Sequence, residues 1–99
     1  MGGGSKNFIP TSQKLHDQFG TRTDRKNLIN EWLSKGNKNK RKFVQNRSEL
    51  LAVDSKKIDK LLGIFHSDHL PYNLEMTMKA IEMLTNDVNG YFLLVEGGR

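Results

Sequence analysis

Five consecutive apolar residues lead into one carboxylate and two glycines in the stretch Gly90-Tyr91-Phe92-Leu93-Leu94-Val95-Glu96-Gly97-Gly98-Arg99. A continuous apolar run bounded by turn residues is typical of a strand that is buried on both faces, as in parallel sheets. Ligands of open α/β sheets bind outside the carboxyl ends of such strands. The pattern therefore predicts a buried strand over residues 91–95, with Glu96 at the edge of the sheet where a ligand binds.

The composition restricts the class of protein. The 99 residues suffice for at most one small domain, and a net charge of +5 makes that domain basic. No stretch approaches the roughly 20 apolar residues that a membrane helix needs, and the first residues contain no targeting signal. Because the chain has no cysteine, thiol catalysis, disulfides and thiolate metal sites are excluded from it.

The first half of the chain is predicted to contain one amphipathic helix. Residues 2–22 are rich in turn residues, and the glycines at positions 2–4 fit either a flexible tail or the loop that leaves a strand. The helix follows Asp24, its predicted N-cap, and ends at Lys35-Gly36. Its apolar side consists of Leu28, Ile29, Trp32 and Leu33.

Short apolar segments and helices alternate in the second half, which indicates α/β architecture. Residues 43–45 are a strand candidate, and Asn46 with Glu49 forms a capping pattern for a short helix. Another short helix is predicted from residue 54 or 55 to Gly63, followed by a brief strand at residues 64–65.

A final amphipathic helix is predicted from Glu75 to the turn residues before Gly90. Its methionines are interpreted as core residues rather than as contacts to a cofactor: Met76, Met78 and Met83.

The segment Lys35–Lys42 is a cluster of positive charge. It fits a solvated connecting loop or a patch that binds phosphate groups. Nucleic-acid sites interleave aromatic and basic residues, and here only Phe43 lies nearby, so no nucleic-acid partner is predicted. The alternative function is a small basic binding module that engages an anionic partner through Lys35–Lys42.

Few other residues are candidates for chemistry. His66-Ser67-Asp68-His69 places two imidazoles three positions apart, with a carboxylate between them, which could suit zinc, whereas His16 is interpreted as a surface residue. No catalytic triad, phosphate-binding glycine loop or nucleotide fingerprint is present. Glu96 is the strongest candidate ligand, because a carboxylate that closes a buried strand must be paired, hydrogen-bonded or metal-bound.

The chain closely resembles the animal alkaline phosphatases. Residues 90–99 are similar to the segment that precedes their Ile-Asp-His-x-His-His zinc motif, and residues 1–10 look like their Gly-Gly-Gly-[Arg/Ser]-Lys-x-[Phe/Met]-x-Pro loop. The blocks His69-Leu70 and Tyr72-Asn73-Leu74 look more like arthropod members than vertebrate ones. Other matching blocks follow in order: Gly20-Thr21-Arg22, Asn27-Leu28-Ile29, Glu31-Trp32-Leu33, Asn46-Arg47-Ser48-Glu49-Leu50, Leu61-Leu62-Gly63-Ile64-Phe65, Glu75-Met76-Thr77 and Lys79-Ala80-Ile81.

The resemblance implies a metal-dependent phosphate monoester hydrolase with two zinc ions and one magnesium ion. Its fold would be three-layer α/β/α with a mostly parallel central sheet. In that family a serine attacks phosphorus and a zinc-activated water then releases phosphate. Glu96 falls on the family's magnesium-binding glutamate, a hard oxygen ligand that suits Mg²⁺, and Asn46 falls on a family glycosylation site. The resemblance also implies a homodimer, lipid-anchored at the extracellular face of the plasma membrane.

The departures from the family pattern define what residues 1–99 are expected to lack. The nucleophilic serine, the phosphate-binding arginine, the zinc ligands and the other magnesium ligands do not occur among them. We therefore expect an internal fragment, a partial domain without catalytic residues that folds poorly alone and is inactive. Between Leu74 and Glu75 the family has a longer loop that completes a calcium site in vertebrate relatives. Since the glutamate of that site is His66 here, calcium binding is not predicted.

Overall fold

The computed structural model describes residues 1–66 and 71–97. Within these ranges the chain is mixed α/β, as predicted, and none of its helices is long and apolar enough to cross a membrane. The helices are α1 (Leu28–Ser34), α2 (Arg47–Leu51) and α3 (Asn73–Leu84), with 3-10 helices at Ser5–Phe8 and Lys38–Lys40. The strands are β1 (Lys14–Leu15), β2 (Gln18–Phe19), β3 (Arg41–Val44) and β4 (Lys60–Gly63).

A parallel sheet forms the centre of the molecule. β3 and β4 pair from Arg41 opposite Lys60 to Val44 opposite Gly63, and α2 lies in the crossover between them. Gly2 pairs with Ile64 on the other edge of β4, donating to the Gly63 carbonyl at 2.9 Å. The N-terminal glycines are therefore the loop that leaves a strand, which is one of the two predicted interpretations.

Apolar side chains cover both faces of this sheet. Successive strand residues point to opposite faces, so Val44 joins Leu50 and Val53 on the side of α2 and α3, whereas Ile64 joins Ile29 on the side of α1. Two of the predicted core methionines, Met76 and Met83, pack against the first cluster. The third prediction was wrong: Met78 is 55% exposed, because it lies on the opposite side of α3.

The helix predicted before Gly63 is a strand instead. Asp54 does cap the backbone, accepting from the Lys56 amide at 3.0 Å, but only a single turn follows before β4 begins at Lys60. The spacing of Ile58, Leu61 and Leu62 fits a helix, yet Leu61 and Leu62 belong to the two clusters on opposite faces of the sheet. Burial on both faces outweighs the helical spacing here.

The terminal strand predicted over residues 91–95 is not formed in this structure. Residues 91–97 have no regular secondary structure, and Phe92 is 87% and Leu94 72% exposed. A strand is stable only when a neighbouring strand satisfies its backbone groups. No described strand pairs with this segment, so the apolar run lies on the surface.

The helix termini agree with the predictions in most places. Asn46 caps α2 as expected, and Gly36 after α1 has a left-handed φ of 72°. The N-cap of α1 is Asn27 rather than Asp24, whose carboxylate accepts from Arg22 and from the Lys26 amide instead. The short hairpin of β1 and β2 was not predicted, because its turn lacks the glycine or asparagine that usually marks one.

Candidate functional site

The carboxyl ends of the parallel strands surround a small pocket. Gly3 and Gly4 follow the Gly2 pairing, Gln45 follows β3, and Phe65 and His66 follow β4. The pocket has a volume of about 160 Å³, and its lining residues are Gly3, Gly4, Ser5, His16, Gln18, Phe65 and His66. This is the edge at which α/β sheets bind ligands.

His16 lines the pocket from the turn of the β1–β2 hairpin. His16 and Asp17 form its two-residue turn, with left-handed φ angles of 52° and 60°. The His16 Nε2 atom lies 3.1 Å from Gln45 Oε1, and the ring meets that of His66 edge-on at 5.5 Å between centroids. The prediction that His16 is a surface residue was wrong, because the hairpin turns its ring towards the strand ends.

The His66–His69 cluster is only partly covered by the structure. His66 lines the pocket, whereas Ser67, Asp68 and His69 lie outside the described residues. Among residues 1–66 and 71–97, no group of three metal-binding side chains comes together. The zinc interpretation of this cluster therefore stays a prediction.

Glu96 lies on the exposed segment that follows α3. Its side chain has no hydrogen bond or ion pair with any described residue. Gly97, the next residue, is close to Asn73 at the start of α3: a Cβ atom built on it would lie 3.9 Å from Asn73 Nδ2. Glu96 is therefore accessible to a ligand, but the predicted sheet edge beneath it is not formed.

Asn46 occupies the turn between β3 and α2. Its Oδ1 atom accepts from the Glu49 amide at 2.9 Å, while Glu49 Oε2 accepts from the Gln45 amide at 2.7 Å. The Asn46 Nδ2 atom, to which a glycan would be attached, donates to no described group. Capping and glycosylation of Asn46 are therefore compatible, and glycosylation itself stays a prediction.

The basic segment Lys35–Lys42 is not a simple connecting loop. Lys38–Lys40 form a 3-10 helix, and Arg41 and Lys42 begin β3. The guanidinium of Arg41 lies 5.0 Å from the centre of the Trp32 ring and donates to the Trp32 carbonyl at 3.3 Å. The segment lies at the amino end of the strands, opposite the pocket.

Comparison with known proteins gives one consistent family. The alkaline phosphatase family model matches residues 1–99. The whole chain aligns at 38% identity with an alkaline phosphatase of Gadus morhua, at 42% with a membrane-bound alkaline phosphatase of Bombyx mori, and at 38% with the tissue-nonspecific isozyme of Mus musculus.

The match covers all of this chain but a small part of those relatives. Residues 1–99 span 24%, 20% and 22% of their respective lengths. The relatives include an insect protein, in agreement with the arthropod-like residues 69–74. The family match over every residue is direct evidence of relationship, and the chain therefore belongs to the alkaline phosphatase family.

Proposed function

We propose that residues 1–99 form one segment of a metal-dependent phosphate monoester hydrolase. The observation that carries the proposal is the family match from residue 1 to residue 99. The relatives are four to five times longer, since the chain spans only 20–24% of them. The activity is accordingly proposed for a complete domain to which this segment contributes.

Glu96 is proposed to be a magnesium ligand in that domain. Its carboxylate is exposed and makes no described hydrogen bond or ion pair, so its oxygens are available to a cation. Mg²⁺ requires near-octahedral oxygen coordination from several groups. The described residues do not fit a complete site, because they bring no group of three ligands together. We therefore propose that residues 1–99 alone bind no catalytic metal and are inactive.

The exposed apolar segment supports the proposed three-layer fold. Tyr91, Phe92, Leu94 and Val95 are between 45% and 87% exposed, a large apolar surface for one short segment. Such a segment is stabilised when neighbouring strands pair with it and cover it. In the complete α/β/α domain residues 91–95 would form a strand of the central sheet, with Glu96 at its carboxyl end.

The remaining proposals concern the environment of the complete protein. Glycosylation of Asn46 would place this segment in the secretory pathway. A homodimer at the extracellular face of the plasma membrane, held by a lipid anchor, is proposed from the family resemblance, and one relative is named as membrane-bound.

A segment exchange tests the proposed function. The matched segment of the Bombyx mori relative is replaced by residues 1–99, and hydrolysis of p-nitrophenyl phosphate is measured with zinc and magnesium present. The expected result is an active chimera, whereas the purified 99-residue chain hydrolyses nothing. The control exchange uses the matched segment of the Gadus morhua relative. An inactive chimera beside an active control would contradict the proposal, as would metal-dependent hydrolysis by the 99-residue chain.

A further inference from the structure

Half of the positive charge of the chain is concentrated in two short runs. Residues 35–42 and 56–60 contain eight of the sixteen lysine and arginine side chains but only one of the eleven carboxylates, Asp59. The rest of the chain has slightly more acidic than basic side chains. The net charge of +5 is therefore a property of these two runs and not of the whole surface.

The parallel register brings the two runs together. Arg41 at the start of β3 lies directly opposite Lys60 at the start of β4. The backbones of the two strands are about 4.8 Å apart. The amide of Asp59 donates to the Lys40 carbonyl at 2.9 Å, which joins the segments just before the strands begin. We call the resulting surface the basic edge: Lys35, Lys38, Lys40, Arg41 and Lys60.

The lysines of the basic edge are open to an anionic partner. All four are exposed, and none forms an ion pair with a carboxylate of the described residues. Lys57, in contrast, lies 3.8 Å from Asp54 and lines a groove with Lys42 and Glu49. Lys56 lines another groove with Asp59 and Asp87, so Lys42, Lys56 and Lys57 are not counted in the surface. Like charges directly opposite each other destabilise a strand pair. A bound polyanion would remove that cost.

We propose that the basic edge binds a linear sulfated polysaccharide. Membrane-surface sites combine cations with exposed apolar side chains, and none of the large exposed apolar residues lies in either run. Single-stranded nucleic acid requires exposed aromatic rings for stacking, whereas Trp32 and Phe43 are half-buried and the Trp32 ring is covered by Arg41. A chain of sulfate groups requires only a row of cations.

The geometry leaves this surface open in a glycosylated protein. Asn46 follows β3 at its carboxyl end, and Arg41 lies at its amino end. Five Cα-to-Cα steps of nearly extended backbone separate the two by roughly 16 Å. A glycan on Asn46 therefore extends from the opposite end of the sheet.

Binding to heparin, a sulfated polysaccharide, tests the proposal in the chimera that carries residues 1–99 in place of the matched segment of the Bombyx mori relative. The substitutions Lys38→Gln, Lys40→Gln and Lys60→Gln are combined, and affinity is measured at several salt concentrations. The expected result is at least about tenfold weaker binding in low salt, with a salt-dependence slope reduced by about one for each lysine removed. The matched control, Lys6→Gln with Lys14→Gln and Lys26→Gln, removes the same charge from exposed lysines elsewhere and should retain the wild-type affinity.

Three results would overturn the proposal. Equal losses in the two triple variants would mean that heparin responds to net charge alone. Loss of binding in the variant Lys38→Arg/Lys40→Arg/Lys60→Arg, which keeps every charge, would mean that fold and not charge was changed. Tighter binding of a single-stranded DNA oligonucleotide, or of phosphatidylserine vesicles, than of heparin would assign the surface to another class of partner.

Discussion

Arg47 in α2 donates from Nε to both carboxylate oxygens of Glu75, at 2.9 and 3.0 Å, and so joins α2 to the first turn of α3. The hydrogen bond with Arg47 holds the pKa of Glu75 below its usual value of 4.5, and the amide of Tyr72, 3.0 Å away, acts in the same direction. The pKa of Arg47 is raised by the same partner. This exposed pair aligns two helices that also share an apolar cluster.

The Arg47–Glu75 pair predicts that the stability of the folded chain falls towards acid pH. The folded-state pKa of Glu75 is lowered, so the ionised carboxylate stabilises the folded state. This stabilisation is present above pH 4.5 and is lost as the pH falls through the lowered pKa. Arg47→Gln should return the pKa of Glu75 towards 4.5 in an NMR titration of its carboxyl carbon. Arg22→Gln is the control, since it should raise the pKa of Asp24 and leave Glu75 unchanged. An unchanged Glu75 titration in Arg47→Gln would contradict the assignment.

The exposed segment at residues 91–95 predicts self-association of the 99-residue chain. Phe92 and Leu94 are 87% and 72% exposed, so they are free to contact a second copy. The double substitution Phe92→Lys/Leu94→Lys should yield a monomer in sedimentation-velocity experiments. The control Thr11→Lys/Ser12→Lys adds the same charge at two exposed positions and should not. A monomeric wild-type chain with a sharp, cooperative thermal transition would contradict this account.

Asn46 allows glycosylation and helix capping to be separated. In a chain expressed through the secretory pathway, Ser48→Ala should abolish the glycan without touching the hydrogen bond from the Glu49 amide to Asn46 Oδ1. Asn46→Asp should also abolish the glycan but keep an accepting oxygen, whereas Asn46→Ala loses both and destabilises α2 by about 1 kcal/mol. Mass spectrometry and far-UV circular dichroism report the two effects. An unmodified Asn46 in the secreted wild-type chain would contradict the glycosylation proposal.

Gly20 is predicted to be intolerant of any side chain. A Cβ atom there would lie 2.1 Å from the Ile9 carbonyl oxygen and 2.2 Å from that of Pro10, so backbone would have to move. Gly20→Ala in the Bombyx mori chimera should therefore lower the free energy of unfolding by about 1–3 kcal/mol. The temperature of half-inactivation should fall accordingly. Gly2→Ala, whose Cβ atom meets nothing within 4 Å, is the matched control. Equal thermal inactivation of both variants would contradict the prediction.

Local rules predicted those parts of the fold that local contacts determine. The cap at Asn46, the glycine after α1 and the apolar face of α3 follow from spacing within one turn of chain. The strand β4 was predicted as a helix, because its two-sided burial depends on clusters built from distant residues. The strand at residues 91–95 failed for a related reason, since a strand requires partners that residues 1–66 and 71–97 do not provide.

The candidate site was predicted only in part. Glu96 and Asn46 stand out through their neighbours in sequence, and the glycines at positions 2–4 were already consistent with a strand exit. His16 was missed, because its place in the pocket depends on an unmarked hairpin turn and on Gln45, 29 residues away. One part of the basic edge, the charge cluster at residues 35–42, was predicted from the sequence. Its contact with residues 56–60 was not predicted, because it depends on the β3–β4 register.

The central claim is that Glu96 supplies one magnesium ligand to an alkaline phosphatase domain. The most direct measurement is the kcat of the Bombyx mori chimera for p-nitrophenyl phosphate as a function of Mg²⁺ concentration, with Glu96→Gln compared with Glu31→Gln. We predict that Glu96→Gln lowers kcat by about 100-fold and weakens the response to Mg²⁺, while Glu31→Gln, an exposed carboxylate on α1, behaves like the unmodified chimera. Full activity with unchanged magnesium dependence in Glu96→Gln would contradict the claim.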